Sequence, residues 1–282
     1  MPVLNDPANL QDHPNNAGTP EPVVSRVGPE GGRPADATES EAASRPRPEV
    51  VQLRRRVMRS ANVAVDMLEA SLHALWQVDH AVARSVRGRD DVIDAEEVGI
   101  ERECLRLLSE RELDTQEFRL VTFCLRINTD IERVADHATS IAKVSLSLDT
   151  AEPPLWPTAL VELGDRVPLL CHHLLRAVLD EDTEAARKLV EGDRIIDEMD
   201  RCLFDELTLK VKGNAEHAAD ALLLFRVGRE LERVGDLLAS MAEDVVYLVS
   251  GEIIRHQGRA ADRPPYGHPP SSEPRSGESA AG

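Results

Sequence analysis

Residues 130–136 read Asp-Ile-Glu-Arg-Val-Ala-Asp, and residues 230–236 read Glu-Leu-Glu-Arg-Val-Gly-Asp. In both stretches a Glu and an Asp stand four apart, Glu132 with Asp136 and Glu232 with Asp236. On a helix that spacing puts both carboxylates on one face, one turn apart. Like charges held so close repel unless a positive group lies between them. The chemistry on offer is therefore cation binding by oxygen ligands, and the repetition of the pattern argues for two such places.

A second acidic stripe precedes each motif. Asp90, Asp94, Glu97 and Glu101 fall at i, i+4, i+7 and i+11, and Asp193, Asp197 and Asp200 repeat the first part of the series before it stops at Phe204. If neighbouring stripes face one groove, each half gathers four or more carboxylates. The break at Phe204 makes the two gatherings unequal. Carboxylate clusters suit hard cations such as Mg, Ca or Mn, and carboxylate-bridged iron is also compatible. Small residues flank the motifs, Asn128, Ala135 and Thr139 in one copy and Gly228, Gly235 and Ala239 in the other, which would leave room beside the acids. The candidate metal ligands are thus Glu132, Asp136, Glu232 and Asp236, with Asp90, Asp94, Asp193 and Asp197 from the second stripes. An ordinary solvated helix face has similar spacing, and Arg133 and Arg233 could soften the repulsion by pairing with the acids. His137 is replaced by Leu237 in the second copy, so it reads as a surface or half-buried histidine and not as a shared ligand.

These motifs need helices to carry them. Apolar residues recur every three or four positions over six segments: about 50–77, 79–111, 115–148, one opening at Pro157, one running from Asp182 to the Gly213-Asn214 turn, and one taking Leu224 through Val245 to Gly251. Asp79, Asp114 and Asp182 are placed as N-caps, Pro157 as the first residue of the fourth helix, and Pro168 as a kink inside it. No segment alternates with period two, so the expected class is all-α. The pattern Asp79-x4-Arg84 through Asp94 returns as Asp182-x4-Arg187 through Asp197, and two tandem three-helix bundles follow, 50–150 and 151–256. Residues 1–49 hold nine of the 18 prolines and no aromatic residue, so they are expected to be a disordered tail; the Pro-rich stretch 257–282 is expected to be another.

A formal charge of −18 would repel a phosphate backbone, which argues against direct nucleic-acid binding. Cys104, Cys124, Cys171 and Cys202 lie apart within apolar helical patterns and read as buried thiols of a reducing, cytoplasmic compartment. No stretch is long and apolar enough to span a bilayer. The run Arg54-Arg55-Arg56 is most simply a solvated helix start. No Ser, Cys or His is placed as an activated nucleophile. A carboxylate-bridged di-metal enzyme on a helical bundle would want inward Glu-x-x-His pairs, which are not apparent. A metal-free helical scaffold is the remaining alternative.

The stretches 130–142 and 230–252 resemble the two signature helices of the PhoU family of bacterial phosphate-signalling regulators, and the similarity extends over about residues 50–256. The resemblance implies tandem three-helix bundles, with a metal-cluster motif on Glu132 and Asp136 and on Glu232 and Asp236, whose divalent or trivalent cation could be Fe, Mg, Mn, Ca or Zn. It also implies a non-enzymatic, cytoplasmic negative regulator of phosphate uptake and of the Pho regulon. Such a protein would link the ATPase of the phosphate ABC transporter to the sensor histidine kinase PhoR; a homodimer is expected separately, because helical bundles with exposed apolar stripes often dimerise. Both copies depart from the family by carrying Ser140 or Ser240 where Asn is usual, and the second lacks the histidine.

Overall fold

The computed structural model describes residues 47–110, 112–149 and 154–254, and these are helical, without strands. The helices are α1 (Pro48–Trp76), α2 (His80–Arg87), α3 (Asp90–Glu110), α4 (Thr115–Ser145), α5 (Thr158–Asp180), α6 (Thr183–Gly213) and α7 (Ala218–Ser250), with a short 3₁₀ turn at Ala215–His217. The expected tails lie outside the described residues, apart from Arg47, the N-cap of α1, and Pro48 and Glu49, which already belong to that helix.

Two joints of identical construction show the duplication in three dimensions. Val78 follows α1 in the left-handed region at φ 50°, and Glu181 follows α5 there at φ 53°. The next N–H reaches five residues back, from Asp79 to the Ala74 carbonyl and from Asp182 to the Ala177 carbonyl. Asp79 and Asp182 then cap the following helices, accepting from Ala81 and Val82 and from Glu184 and Ala185. The halves diverge next. One helix was expected over 79–111, but the chain turns at Gly88-Arg89, where the Arg89 N–H bonds the Val86 carbonyl three residues back. The matching α6 is continuous. Glycine and a Ser-Val-Arg-Gly-Arg run give weak helix propensity just where α2 ends.

α4 opens with a capping box between Asp114 and Glu117, and the buried Glu117 carboxylate also receives the Arg47 N–H at 2.9 Å and its guanidinium at 3.1 Å. Those bonds fix the starts of α1 and α4 side by side. Ser145 Oγ bonds the Ala74 carbonyl at the other end, so the two helices run parallel with α2–α3 returning between them. Pro157 is the N-cap of α5 and not its first residue; it offers no side-chain cap, and Glu206 of α6 accepts the free Thr158 and Ala159 N–H groups instead. α5 runs unbroken through Pro168, which is buried.

The two bundles lie antiparallel. Arg54 of α1 reaches Glu181 and the Val178 carbonyl at the end of α5, while Trp76 at the other end of α1 packs on Gly164 and Trp156. Arg126 pairs with Asp244 and His137 with Glu230, which sets α4 against α7 in the same opposed sense. Buried side chains from both halves, such as Leu68, Phe123, Leu163 and Leu231, belong to one apolar core. Arg54, expected to be solvated, is therefore a joint between the bundles. No helix is long and apolar enough to cross a membrane among the described residues.

Candidate metal-binding carboxylate clusters

α3 and α4 are antiparallel neighbours stitched by their small polar residues. Asn128 Nδ2 donates to the Glu97 carbonyl at 2.8 Å, Thr129 Oγ1 to the Glu97 carboxylate at 3.2 Å, and Thr139 Oγ1 to Asp90 at 3.1 Å. This seam brings the stripe of α3 against Glu132 and Asp136. Burial pushes the Glu132 carboxyl up to about 7, helped by the charges of Asp136, Glu97 and Asp94 and by a hydrogen bond that protonated Glu132 gives Asp136. Asp94 is raised too, by desolvation and then by Asp90, Asp136 and Asp91. Asp90, Asp94, Glu97, Glu132 and Asp136 therefore act on each other as one uncompensated negative set.

The second half assembles differently. Asp200 and Glu232 are buried, and Arg229 lies between them, 3.0 Å from one carboxylate and 3.3 Å from the other. Desolvation raises Glu232 and Arg229 pulls it back, while Asp236, Asp200 and Asp197 push it up again. Asp193 continues the α6 stripe one turn before Asp197, half-buried. Arg229 stands at the position of Thr129, and so the second half carries its own cation.

Several expectations need correction. Arg133 and Arg233 do not pair with the Glu and Asp of their motifs; they lie 3.4 Å from Asp130 and 3.6 Å from Glu230, the acids that open each pattern. The small residues do not leave space for ions in the second half, because the Leu203 and Ile196 side chains of α6 pack directly over Gly228 and Gly235. They serve close approach of helices. Cys202 is exposed, whereas burial holds the thiols of Cys104, Cys124 and Cys171 well above their usual range.

His137, read above as a surface or half-buried histidine, makes a bond that no local pattern indicates. His137 Nδ1 lies 2.7 Å from Glu230 Oε2, joining the two signature helices. Burial raises the Glu230 carboxyl, but the His137 hydrogen bond and charge, with Arg233 and Arg226, outweigh it and hold the group below its usual range. About three turns further along the same α4–α7 seam Arg126 pairs with Asp244, and burial raises Asp244 to about 6 despite the arginine. Only the pairing of α4 with α7 brings these residues together.

The donor set suits a hard cation in the first half, where five carboxylates share a seam and Glu132 is costly to ionise. It suits one less well in the second, where Arg229 already neutralises Asp200 and Glu232. Among the described residues no three His, Cys, Asp or Glu side chains converge into a ready coordination shell.

Comparison with known proteins agrees with the duplicated architecture. The family model for the PhoU domain matches residues 57–145 and again 160–245. A phosphate-specific transport system accessory protein PhoU homolog of Xylella fastidiosa is 32% identical over 197 residues, spanning 70% of this chain and 83% of that protein. Its counterpart in Aquifex aeolicus is 30% identical over 210 residues, 74% of this chain and 95% of the relative. The crystal structure of PhoU from Pseudomonas aeruginosa superposes with a TM-score of 0.69 at 26% identity, covering 72% of this chain and 98% of that one. The phosphate transport system regulatory protein PhoU from Streptococcus pneumoniae gives 0.67 at 25% identity, covering 73% and 97%. With two copies of the domain in sequence and the same helical architecture in space, this chain belongs to the PhoU family.

Proposed function

We propose that this protein is a negative regulator of phosphate uptake and of Pho regulon signalling, a cytoplasmic, non-enzymatic adaptor between the ATPase of the phosphate ABC transporter and the sensor histidine kinase PhoR. The role in phosphate transport follows the names of the relatives. The observation that supports the metal part of the reading is the carboxylate set that α3 and α4 bring to one seam, where burial, and after it the charges of Asp136, Glu97 and Asp94, drives Glu132 toward protonation. A divalent or trivalent cation held by Glu132, Asp136, Asp94, Glu97 and Asp90 would replace the repulsion among them by attraction and draw α3 onto α4. The surface formed by those helices would then be the one that partners recognise. Glu232, Asp236, Asp197 and Asp193 would hold a weaker site, because Arg229 competes for the same charge. A homodimer is the proposed assembly.

The test compares Glu132→Ala/Asp136→Ala with Glu232→Ala/Asp236→Ala, measuring bound metal after dialysis together with binding to the kinase and to the transporter ATPase. The first pair is expected to lose metal and to weaken partner binding; the second pair to lose less of both. Metal content unaffected by the first pair sinks the metal part of the reading, and unaltered binding of both partners sinks its link to recognition.

A further inference from the structure

Asn128 stands one turn before Glu132 on the same face of α4, and only 2% of it is exposed. Its Nδ2 donates to the Glu97 carbonyl at 2.8 Å. A carbonyl can only accept, so that bond fixes the amide with its nitrogen toward the α3 backbone and its oxygen turned away. The oxygen is buried too, and among the described residues no donor reaches it. An amide oxygen taken out of water without a partner is costly, and it asks for a positive or protic neighbour. The donors of this seam are engaged elsewhere: Thr129 gives its hydroxyl to Glu97, Thr139 gives its own to Asp90, and protonated Glu132 donates to Asp136.

The second half shows where a side chain at this position points. Gly228 stands at the place of Asn128, and a Cβ there would lie 3.8 Å from Asp200 Oδ1, the counterpart of Glu97 in the repeat. The position therefore faces the acidic stripe of the neighbouring helix. In the second half it carries no side chain; Leu203 fills the space, and Arg229 at the next position brings a guanidinium 3.0 Å from Asp200 and 3.3 Å from Glu232. The first half has the reverse arrangement. Thr129 replaces the arginine, the charges acting on Glu132 are those of acids, and Asn128 adds one more oxygen. One half carries a positive charge within its own chain, whereas the other presents an extra acceptor to a cation from outside.

We propose that Asn128 Oδ1 is a ligand of the cation held by the first half, a neutral oxygen beside the carboxylates of Glu97 and Glu132. This rests on the reading of the α3–α4 seam as a metal site and narrows it, because an amide oxygen among carboxylates favours a hard ion of the Mg, Ca or Mn kind over zinc. Being uncharged, Asn128 adds a ligand without adding to the repulsion among the acids. Its bond to the Glu97 carbonyl holds the oxygen in place, as the outer partners of metal ligands do.

Titration calorimetry with Mn tests this in the full-length protein, where the first-half site is the binding component that Glu132→Ala/Asp136→Ala removes. Asn128→Ala is expected to weaken that component by about tenfold or more. Asn128→Asp keeps an oxygen and loses the Nδ2 donor; it is expected to bind Mn at least as tightly as the natural chain, whereas an asparagine that only braces α3 would make Asp as damaging as Ala. A second readout needs no variant. With isotopically labelled asparagine, the side-chain carbonyl signal of Asn128, assigned through its bonds to the backbone, is expected to shift in the natural protein as Mg is added. Should Asn128→Ala fail to fold by circular dichroism, that signal decides alone. Unchanged Mn affinity in Asn128→Ala, equal losses in the Ala and Asp variants, or a carbonyl signal that Mg leaves in place overturns the role of Asn128 while the metal reading stands. A natural protein that binds no Mn overturns both.

Discussion

Replacing Glu132 by Gln should stabilise this protein at alkaline pH and leave it nearly unchanged at acid pH. In the folded chain the Glu132 carboxyl titrates at about 7 against a usual 4.5, so between these values the native state binds more protons than the unfolded one. Stability therefore falls as pH rises through that window and levels off above about 7; below about 4.5 both states are protonated and nothing is lost. At about 1.4 kcal/mol per pH unit the gap sets a ceiling of about 3 kcal/mol. Glu132 is only half-buried, so solvent screening reduces the expected gain of Glu132→Gln at pH 8.5 to about 1–2 kcal/mol. Urea unfolding followed by circular dichroism between pH 4.5 and 8.5 measures it, with a corresponding melting-temperature rise of about 2–8 °C at the alkaline end. Glutamine keeps the shape and can still donate to Asp136, so little else should change. A difference between the two proteins that is flat across this range, or a Gln variant less stable at pH 8.5, would refute the argument that burial and neighbouring charge penalise the ionised Glu132. Adding Mg or Mn at pH 8.5 should stabilise the natural protein more than the variant and so narrow the gap.

The opposite outcome is expected in the second half. Arg229→Leu leaves buried Asp200 and Glu232 without the guanidinium between them and should cost about 2–4 kcal/mol at pH 7, less at pH 4.5 where Glu232 protonates, read from the same unfolding curves. His137→Ala removes the partner that holds Glu230 below its usual range, and a loss of about 1–3 kcal/mol at pH 6 is expected. That contribution is present above about pH 4.5 and fades as pH falls further, so the penalty should shrink toward pH 3. Gly228→Ala drives a methyl into the δ-methyl of the fully buried Leu203; the strain should outweigh the gain in helix propensity by about 1–2 kcal/mol, with Gly235→Ala, whose Cβ would sit 3.1 Å from Ile196, milder in thermal melts.

What the sequence by itself determined was local and periodic. The apolar spacing, the Asp caps and the repeated motif mark six helical segments, five of them matching single helices, because capping and amphipathicity involve residues three or four apart. The one misread helix, 79–111, failed at a turn of three residues that periodicity averages over. The same spacing placed Glu132 with Asp136 and Asp94 with Glu97 on single faces, and the duplication marked both carboxylate sets. What lies between the helices was decided by tertiary structure alone. Arg133 and Arg233 were the charges nearest in sequence to the motif acids, but the cation that matters in the second half is Arg229, whose side chain leans toward α6 and Asp200. His137 and Glu230 are 93 positions apart, and no local pattern encodes their bond. A helix face has a direction only once its neighbour is known. The sequence could say which residues share a face, whereas the antiparallel packing of α4 on α7 and of α3 on α4 decided which charges meet and which are left to repel.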